Sequence, residues 1–166
     1  GVKLTDVWRE GPKTYLGLQT PGFPNLFTIT GPGSPSVLCN MPPCIEQHVE
    51  WISQCLEYMR ANHIDTCEAD ESAATEWVKH VNEAAEATLL VTVPHSWYLG
   101  ANVEGKPRVF MPYAGGMNRY RALCDDVVKK QYVGFKMKSK SNVINAVTPN
   151  KNQTFDVTNQ IKTPGI

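Results

Sequence analysis

The sequence predicts an α/β fold whose β-sheet is incomplete. A strand–turn–helix unit covers residues 26–60: β-branched and aromatic residues are followed by a Gly/Pro-rich turn and then by an amphipathic helix. Two further helices follow, but the only other candidate strands are short, at 108–111 and 132–137. Because a parallel sheet is normally buried on both faces, we expect this unit to require neighbouring strands that the sequence does not supply.

Composition and charge exclude several classes of protein. The 166 residues are 42% hydrophobic and 19% charged, as in an ordinary globular protein. Sixteen basic residues balance sixteen acidic ones, so no net field favours nucleic acid or an anionic membrane. No apolar stretch approaches the ~20 residues of a membrane span. The first residues contain neither Met nor the apolar core of a signal peptide, so we expect a cytoplasmic chain that begins inside a longer protein.

The first helix is predicted from a stripe of apolar residues spaced by three and four positions. The stripe comprises Ile45, Val49, Ile52, Leu56 and Met59. Asn40 is the predicted N-cap, and Pro42 and Pro43 stand where a missing N–H is best tolerated. Burying five such side chains contributes about 8–15 kcal/mol. The few other elements cannot cover this surface fully, which again predicts an incomplete domain.

The rest of the chain is divided by composition. Residues 1–25, rich in Gly and Pro, predict an irregular lead-in. A second helix is predicted over 72–90, with Trp77, Val81, Ala85 and Leu89 on one face. A third follows Gly115-Gly116, with the stripe Tyr120, Leu123, Cys124, Val127 and Val128. Residues 138–166 predict a polar, mobile tail, so we divide the chain into 1–137 and 138–166.

The turn at 31–36 is the local feature most suited to a ligand. Ligands of open α/β sheets collect where strands end and helices begin, and helix N-termini attract anionic or electron-rich groups. Gly31 and Gly33 would let a flat ligand approach the backbone. The alternative is a plain connection whose glycines serve turn geometry only, and local sequence favours this alternative.

Other chemistry is weakly supported. Residues 100–106 match GxxxxGK, but Pro107 replaces the Ser or Thr that binds Mg²⁺ in a P-loop, and an extended segment follows instead of a helix. The five cysteines form no CxxC pair, and the four histidines lack zinc-site spacing, so no metal site is predicted. We expect reduced thiols, and His48 as a partly exposed helix residue. No catalytic residue is predicted.

Several strings, in order along the chain, resemble Baeyer–Villiger monooxygenases. They are GPKTYLG at 11–17, GFPNLF at 22–27, GPGSPS at 31–36, IEQHVEW at 45–51, SWYLGANV at 96–103 and GKPRVFMPY at 105–113. The similarity runs from about residue 10 to about residue 137. It implies that residues 1–137 are the C-terminal part of a Rossmann-like FAD-binding domain, with an incomplete sheet, packed helices and a mobile loop around Trp97.

The resemblance also implies cofactors, substrate and residue roles. In this family NADPH reduces FAD, and the reduced flavin uses O₂ to convert a ketone into an ester or lactone. By resemblance, Ser36, Val37 and Leu38 line the ketone pocket. Asn40 and Met41 meet the flavin at the helix start, and Trp97 closes over NADP through its indole N–H.

The sequence lacks what this family needs to work alone. There is no GxGxxG dinucleotide fingerprint and no NADP domain. The resemblance therefore implies a missing N-terminal part as the partner, and an isolated chain with little or no oxygenase activity. The alternative is a catalytically inactive remnant, or a fragment that binds another subunit.

Overall fold

The computed structural model describes residues 1–101 and 103–139. Its helices are α1 (Leu4–Val7), α2 (Met41–Ala61), α3 (Glu71–Glu86) and α4 (Met117–Lys129), and its strands are β1 (Thr66–Ala69) and β2 (Phe135–Lys138). Short 3-10 turns occupy Ser36–Leu38, Leu89–Thr92 and Trp97–Leu99. Lys138, placed at the start of the tail by sequence, closes β2, while residues 140–166 lie outside the described residues.

The sheet within the described residues is a single antiparallel pair. Strand β1 pairs with β2 in a register that sets Thr66 opposite Lys138 and Ala69 opposite Phe135. The prediction of a strand at 132–137 is confirmed in its second half. Strand β1 was not predicted, because its sequence TCEA contains neither a β-branched run nor aromatic residues. The described residues thus combine helices with a small antiparallel sheet.

Two predicted strands are absent from these described residues. At 26–30 the backbone turns through positive φ at Asn25 and Thr30, and Phe27 forms only an isolated bridge to Gln19. At 108–111 the chain is extended, but its Val109 N–H bonds to a 3-10 turn, at the Leu99 carbonyl, rather than to a strand. Both sequences have strand composition, yet a strand also needs a neighbouring strand to complete its hydrogen bonds.

The core is built largely from aromatic side chains. Trp51 of α2 packs edge-on against Tyr132 with ring centroids 5.3 Å apart, and Trp77 of α3 lies 5.4 Å from Tyr113. Tyr120 of α4 stands 6.0 Å from Tyr113 and links the two groups. Such pairs contribute about 0.5–1.5 kcal/mol beyond the area that they bury. The three long helices are therefore held around one aromatic centre.

Helix α2 begins as predicted but buries a different face. Prolines occupy its first turn after Asn40, whose side chain makes no capping hydrogen bond. The buried residues are Cys44, Gln47, His48, Trp51, Cys55 and Met59. In contrast, Ile45, Val49 and Leu56 of the predicted stripe are 39%, 45% and 46% exposed. Most of the stripe is therefore uncovered, as expected from the few elements available, and among its members only Met59 belongs to the buried face of α2.

Helices α3 and α4 follow their predicted patterns closely. Trp77, Val81 and Ala85 are buried as expected, whereas Leu89 lies beyond the end of α3 and is 83% exposed. In α4, Tyr120, Cys124 and Val127 are buried. Within the part of the chain that the structure describes, no helix combines the length and apolar character needed to cross a membrane.

Candidate functional site

The glycine-rich turn at 31–35 is buried and tied to its surroundings. The Gly33 N–H donates to the Met111 carbonyl at 2.6 Å, and the Trp77 indole N–H donates to the Gly33 carbonyl at 3.0 Å. A Cβ at Gly31 would lie 2.5 Å from the Gly17 carbonyl oxygen, and one at Gly33 would lie 3.0 Å from the Trp77 nitrogen. These glycines are therefore required by close protein packing, which favours the plain-connection alternative for this turn.

A buried histidine connects this turn to two helices. The Thr30 N–H donates to His48 Nδ1 at 2.8 Å, so the ring proton lies on Nε2. The Tyr120 hydroxyl donates to the Leu16 carbonyl at 2.5 Å, which leaves its oxygen to accept from His48 Nε2 at 2.8 Å. Burial lowers the pKa of His48 to about 4, so the ring is neutral at pH 7.

His48 is fully buried, so its predicted partial exposure is wrong. Sequence reasoning also missed the role of Tyr120 as its partner. The signal was present in the spacing of Cys44, His48, Trp51 and Cys55, which repeats every three or four residues. Counting Cys, His and Trp as core residues would have revealed the buried face of α2.

The segment between the turn and α2 carries most of the predicted site. Ser36 has a φ of 45° and begins the 3-10 turn, in which the Leu38 N–H donates to the Pro35 carbonyl at 2.9 Å. Ser36, Leu38 and Met41 are half-buried, and Asn40 is exposed. Val37 lies within the 3-10 turn, and its side chain is outside the described part of the structure. These positions thus form one short stretch of accessible chain.

Trp97 lies on a separate segment that hydrogen bonds connect to the glycine turn. The Met111 N–H donates to the Tyr98 carbonyl at 2.9 Å, and the Met111 carbonyl accepts from Gly33. Trp97 is 55% exposed and stacks on Tyr98 with ring centroids 4.3 Å apart. Its indole is therefore carried by the same hydrogen-bonded unit as the turn that precedes Ser36.

Arg108 anchors the approach to Trp97 and was not singled out from the sequence. Its guanidinium donates to the carbonyls of Pro94, Val91 and Val93 at 2.8, 3.3 and 3.1 Å. A fork of donors suits several converging carbonyls. Sequence spacing does not predict these hydrogen bonds of Arg108, because their acceptors are backbone carbonyls, which every residue has.

The start of α2 can accept one electron-rich group of a flavin. The first N–H groups of a helix have no intrahelical acceptor, but Pro42 and Pro43 have no N–H, and the Cys44 N–H already donates to the Asn40 carbonyl. The Met41 N–H and the uncapped Asn40 amide remain as donors. The residues present therefore fit a single flavin carbonyl, with fewer backbone donors than a helix start normally offers.

The cysteines do not all carry free thiols. The structure joins Cys39 and Cys44 by a disulfide, so the prediction of reduced thiols is wrong for this pair, whereas Cys55, Cys67 and Cys124 are free and buried. Among the described residues, no three His, Cys, Asp or Glu side chains converge as metal ligands.

The curated proteins that are similar in sequence to this chain include two monooxygenases. No protein-family model matches the chain. Cyclohexanone 1,2-monooxygenase from Acinetobacter sp is 36% identical over 135 residues, which are 81% of this chain and 24% of the relative. Acetone monooxygenase (methyl acetate-forming) from Gordonia sp. is 38% identical over 136 residues, again 81% of this chain and 25% of the relative. The chain thus spans about a quarter of the length of these curated relatives.

Solved structures give the same result at the level of the fold. Cyclohexanone monooxygenase from Rhodococcus sp. Phi1 bound to NADP+ superposes with a TM-score of 0.80 at 40% identity, over 84% of this chain and 26% of that one. An oxidized steroid monooxygenase bound to NADP gives a TM-score of 0.77 at 44% identity, with the same coverage. In both sequence and fold, this chain therefore corresponds to a segment about a quarter as long as a Baeyer–Villiger or cyclohexanone monooxygenase.

Proposed function

We propose that this chain is the C-terminal segment of an FAD- and NADPH-dependent Baeyer–Villiger monooxygenase, which inserts one oxygen of O₂ into a ketone to give an ester or lactone. The observation that carries the proposal is the match in sequence and fold over about four fifths of the chain. The site residues support it, since the accessible stretch before α2 and the exposed Trp97 belong to one hydrogen-bonded unit. A cytoplasmic location is part of this proposal.

Each predicted site residue has a role in this proposal. When bound, FAD supplies the oxygen-activating chemistry and NADPH supplies its electrons. The Met41 N–H donates to a flavin carbonyl, with the Asn40 amide beside it. Ser36, Val37 and Leu38 form one wall of the ketone pocket, which this chain shapes without supplying an acid or a base. Trp97 covers the NADP side with its flat indole and limits access of water.

The proposal also assigns a partner to the surfaces that this chain leaves exposed. In the complete enzyme, residues 26–30 become a strand of a Rossmann-like sheet, for which they have the composition. Leu26 and Ile29, 44% and 48% exposed here, would then be covered. The outer face of α2, marked by Val49, would pack against the N-terminal part of the enzyme.

A second candidate is a catalytically inactive remnant that binds another subunit. The same exposed α2 face favours it, because a non-catalytic partner could cover that surface equally well. Assembly with a flavin-binding N-terminal part, and the activity that results, distinguish the two candidates.

The test is complementation. A Baeyer–Villiger monooxygenase lacking its matching quarter is mixed with this chain, and flavin fluorescence and ketone-stimulated NADPH oxidation are measured. We expect quenched flavin fluorescence and ketone-dependent oxidation of NADPH. The relative's own quarter, added separately, confirms that the truncated enzyme is competent. If only that quarter restores the two signals, the remnant is favoured.

Two matched variants locate the assembly surface. Val49→Lys places a charge on the exposed apolar face of α2, and we expect it to abolish complementation because a buried unpaired charge is costly. Gln54→Lys places the same charge about 140° away around the helix, at a position that is also exposed. Equal loss, or no loss, in both variants would contradict the assigned surface.

A further inference from the structure

Two cysteines bracket the start of α2. Cys39 directly follows the 3-10 turn Ser36–Leu38, and Cys44 lies in the first turn of the helix, five positions further on. Their disulfide closes a small loop that contains both prolines. The link therefore ties the 3-10 turn to the helix by a covalent bond.

The pair differs from the other cysteines in access and in pairing. Cys55, Cys67 and Cys124 are each 0% exposed and free. Cys39 is half-buried, whereas its partner Cys44 is buried. Since oxidation of cysteine follows access as well as thiolate character, a small peroxide in solution reaches Cys39 first.

The spacing of the pair makes the link sensitive to the backbone around it. The Cα atoms of the pair are 7.0 Å apart, just beyond the usual range of about 4.4–6.8 Å, so the link depends on where the backbone of the 3-10 turn lies. The Cys39 sulfur also lies 3.1 Å from the Ser36 carbonyl oxygen, and the Cys44 sulfur lies 3.6 Å from Met117 Sδ. Because accessible disulfides are reduced more readily than buried ones, the half-buried Cys39 also favours a bridge that can be opened again.

We propose that Cys39 and Cys44 form a reversible dithiol–disulfide site, oxidised by hydrogen peroxide, that sets the position of the Ser36–Leu38 turn relative to α2. The Cys39 thiolate attacks the peroxide, the O–O bond breaks, and a sulfenic acid forms as water leaves. The Cys44 sulfur then attacks the sulfenic sulfur, the S–S bond forms, and a second water leaves. Two electrons pass from the thiols to the peroxide, and a dithiol reductant reverses the change. This site does not depend on the proposed function.

The chain is suited to a direct test, because cleavage after glutamate separates the cysteines. Residues 11–46 contain only Cys39 and Cys44, residues 51–57 contain Cys55, and residues 58–68 contain Cys67. The folded chain is treated with dithiothreitol or hydrogen peroxide, unfolded, alkylated and cleaved. By mass, we expect peptide 11–46 to carry two alkyl groups after reduction and none after oxidation, while the other peptides remain alkylated. Dithiothreitol then restores both groups.

Variants and a second measurement complete the test. In Cys39→Ser or Cys44→Ser, no intramolecular bridge forms in peptide 11–46, whereas the control Cys55→Ser behaves as the parent chain. Amide exchange at 36–39 should be slower in the oxidised chain than in the reduced one. Two alkylatable thiols in peptide 11–46 after peroxide, oxidation confined to Cys55 and Cys67, a bridge that dithiothreitol does not open, or unchanged amide exchange would each overturn the proposal.

Discussion

At the level of single residues, His48 connects separate parts of the fold through hydrogen bonds. Its two ring nitrogens join Thr30, at the entry to the glycine turn, to Tyr120 of α4. Because Thr30 donates to Nδ1, protonation of the ring would remove an acceptor and leave a buried charge. The position of the turn before the predicted pocket therefore depends on a neutral imidazole.

The pKa of His48 predicts how stability depends on pH. Burial lowers that pKa from 6.5 to about 4, so the unfolded chain binds the proton more readily. The free energy of unfolding is therefore highest above pH 6.5. It decreases by about 3 kcal/mol as the pH falls from 6.5 towards about 4. The midpoint of urea denaturation should fall over this range, and less so in His48→Gln. An equal fall in both proteins would contradict this assignment.

Trp97→Ala tests the predicted contact with NADP. Because the exposed indole contributes little to the core, the complemented enzyme should retain its flavin but require a higher NADPH concentration for half-maximal oxidation. Val103→Ala, on the same exposed segment, is the control and should leave this value unchanged. An unaltered NADPH response in Trp97→Ala would remove the assigned role.

The sequence predicted the site residues only through resemblance, since no local pattern distinguishes Ser36 or Trp97 from other loop residues. It missed Arg108, whose acceptors are carbonyls, and it missed the bridge between Cys39 and Cys44. These contacts depend on the path of the backbone in three dimensions, and the spacing of residues along the sequence does not predict that path. The roles of Asn40, Met41 and the pocket residues remain predictions.

Among the elements, helices were predicted better than strands, because a helix completes its hydrogen bonds within one segment. Three of the five residues of the α4 stripe and three of the four residues of the α3 stripe are buried as expected. The segment 26–30 has strand composition, but it has no strand neighbour among the residues that the structure describes. Strand β1 exists despite its sequence, because β2 pairs with it.

The N-cap of α3 leads to a prediction about the stability of the chain. The Asp70 carboxylate accepts from the N–H groups of Ser72 and Ala73 and also pairs with Lys136, which with Ser72 holds its pKa below the usual range. Asp70→Ala should destabilise the chain by about 1 kcal/mol, measured by urea denaturation. Asp70→Asn retains a capping oxygen and loses only a surface ion pair of small effect. Equal loss in the two variants would show that the cap is unimportant.

For the whole molecule, the uncovered apolar surface is the feature that most needs explanation. Ile45, Val49 and Leu56 lie on one side of α2, in addition to Leu26 and Ile29. We expect the isolated chain to increase the fluorescence of an anilinonaphthalene dye, because such dyes bind accessible apolar surface. Val49→Lys should weaken that increase, and Gln54→Lys should not. No fluorescence increase with the parent chain would mean that this surface is already covered.

Amide exchange at Phe27 and Ile29 tests most directly whether this chain is one part of a larger sheet. Within the described residues, the N–H groups of Leu26, Thr28 and Thr30 already donate hydrogen bonds, whereas those of Phe27 and Ile29 have no acceptor, so we expect fast exchange at these two positions in the chain alone. Addition of the complementary N-terminal part should slow it strongly, since a paired strand protects its N–H groups. Exchange at Phe27 and Ile29 that stays fast in the assembled protein would contradict the proposal that residues 26–30 complete a sheet supplied by the rest of the enzyme.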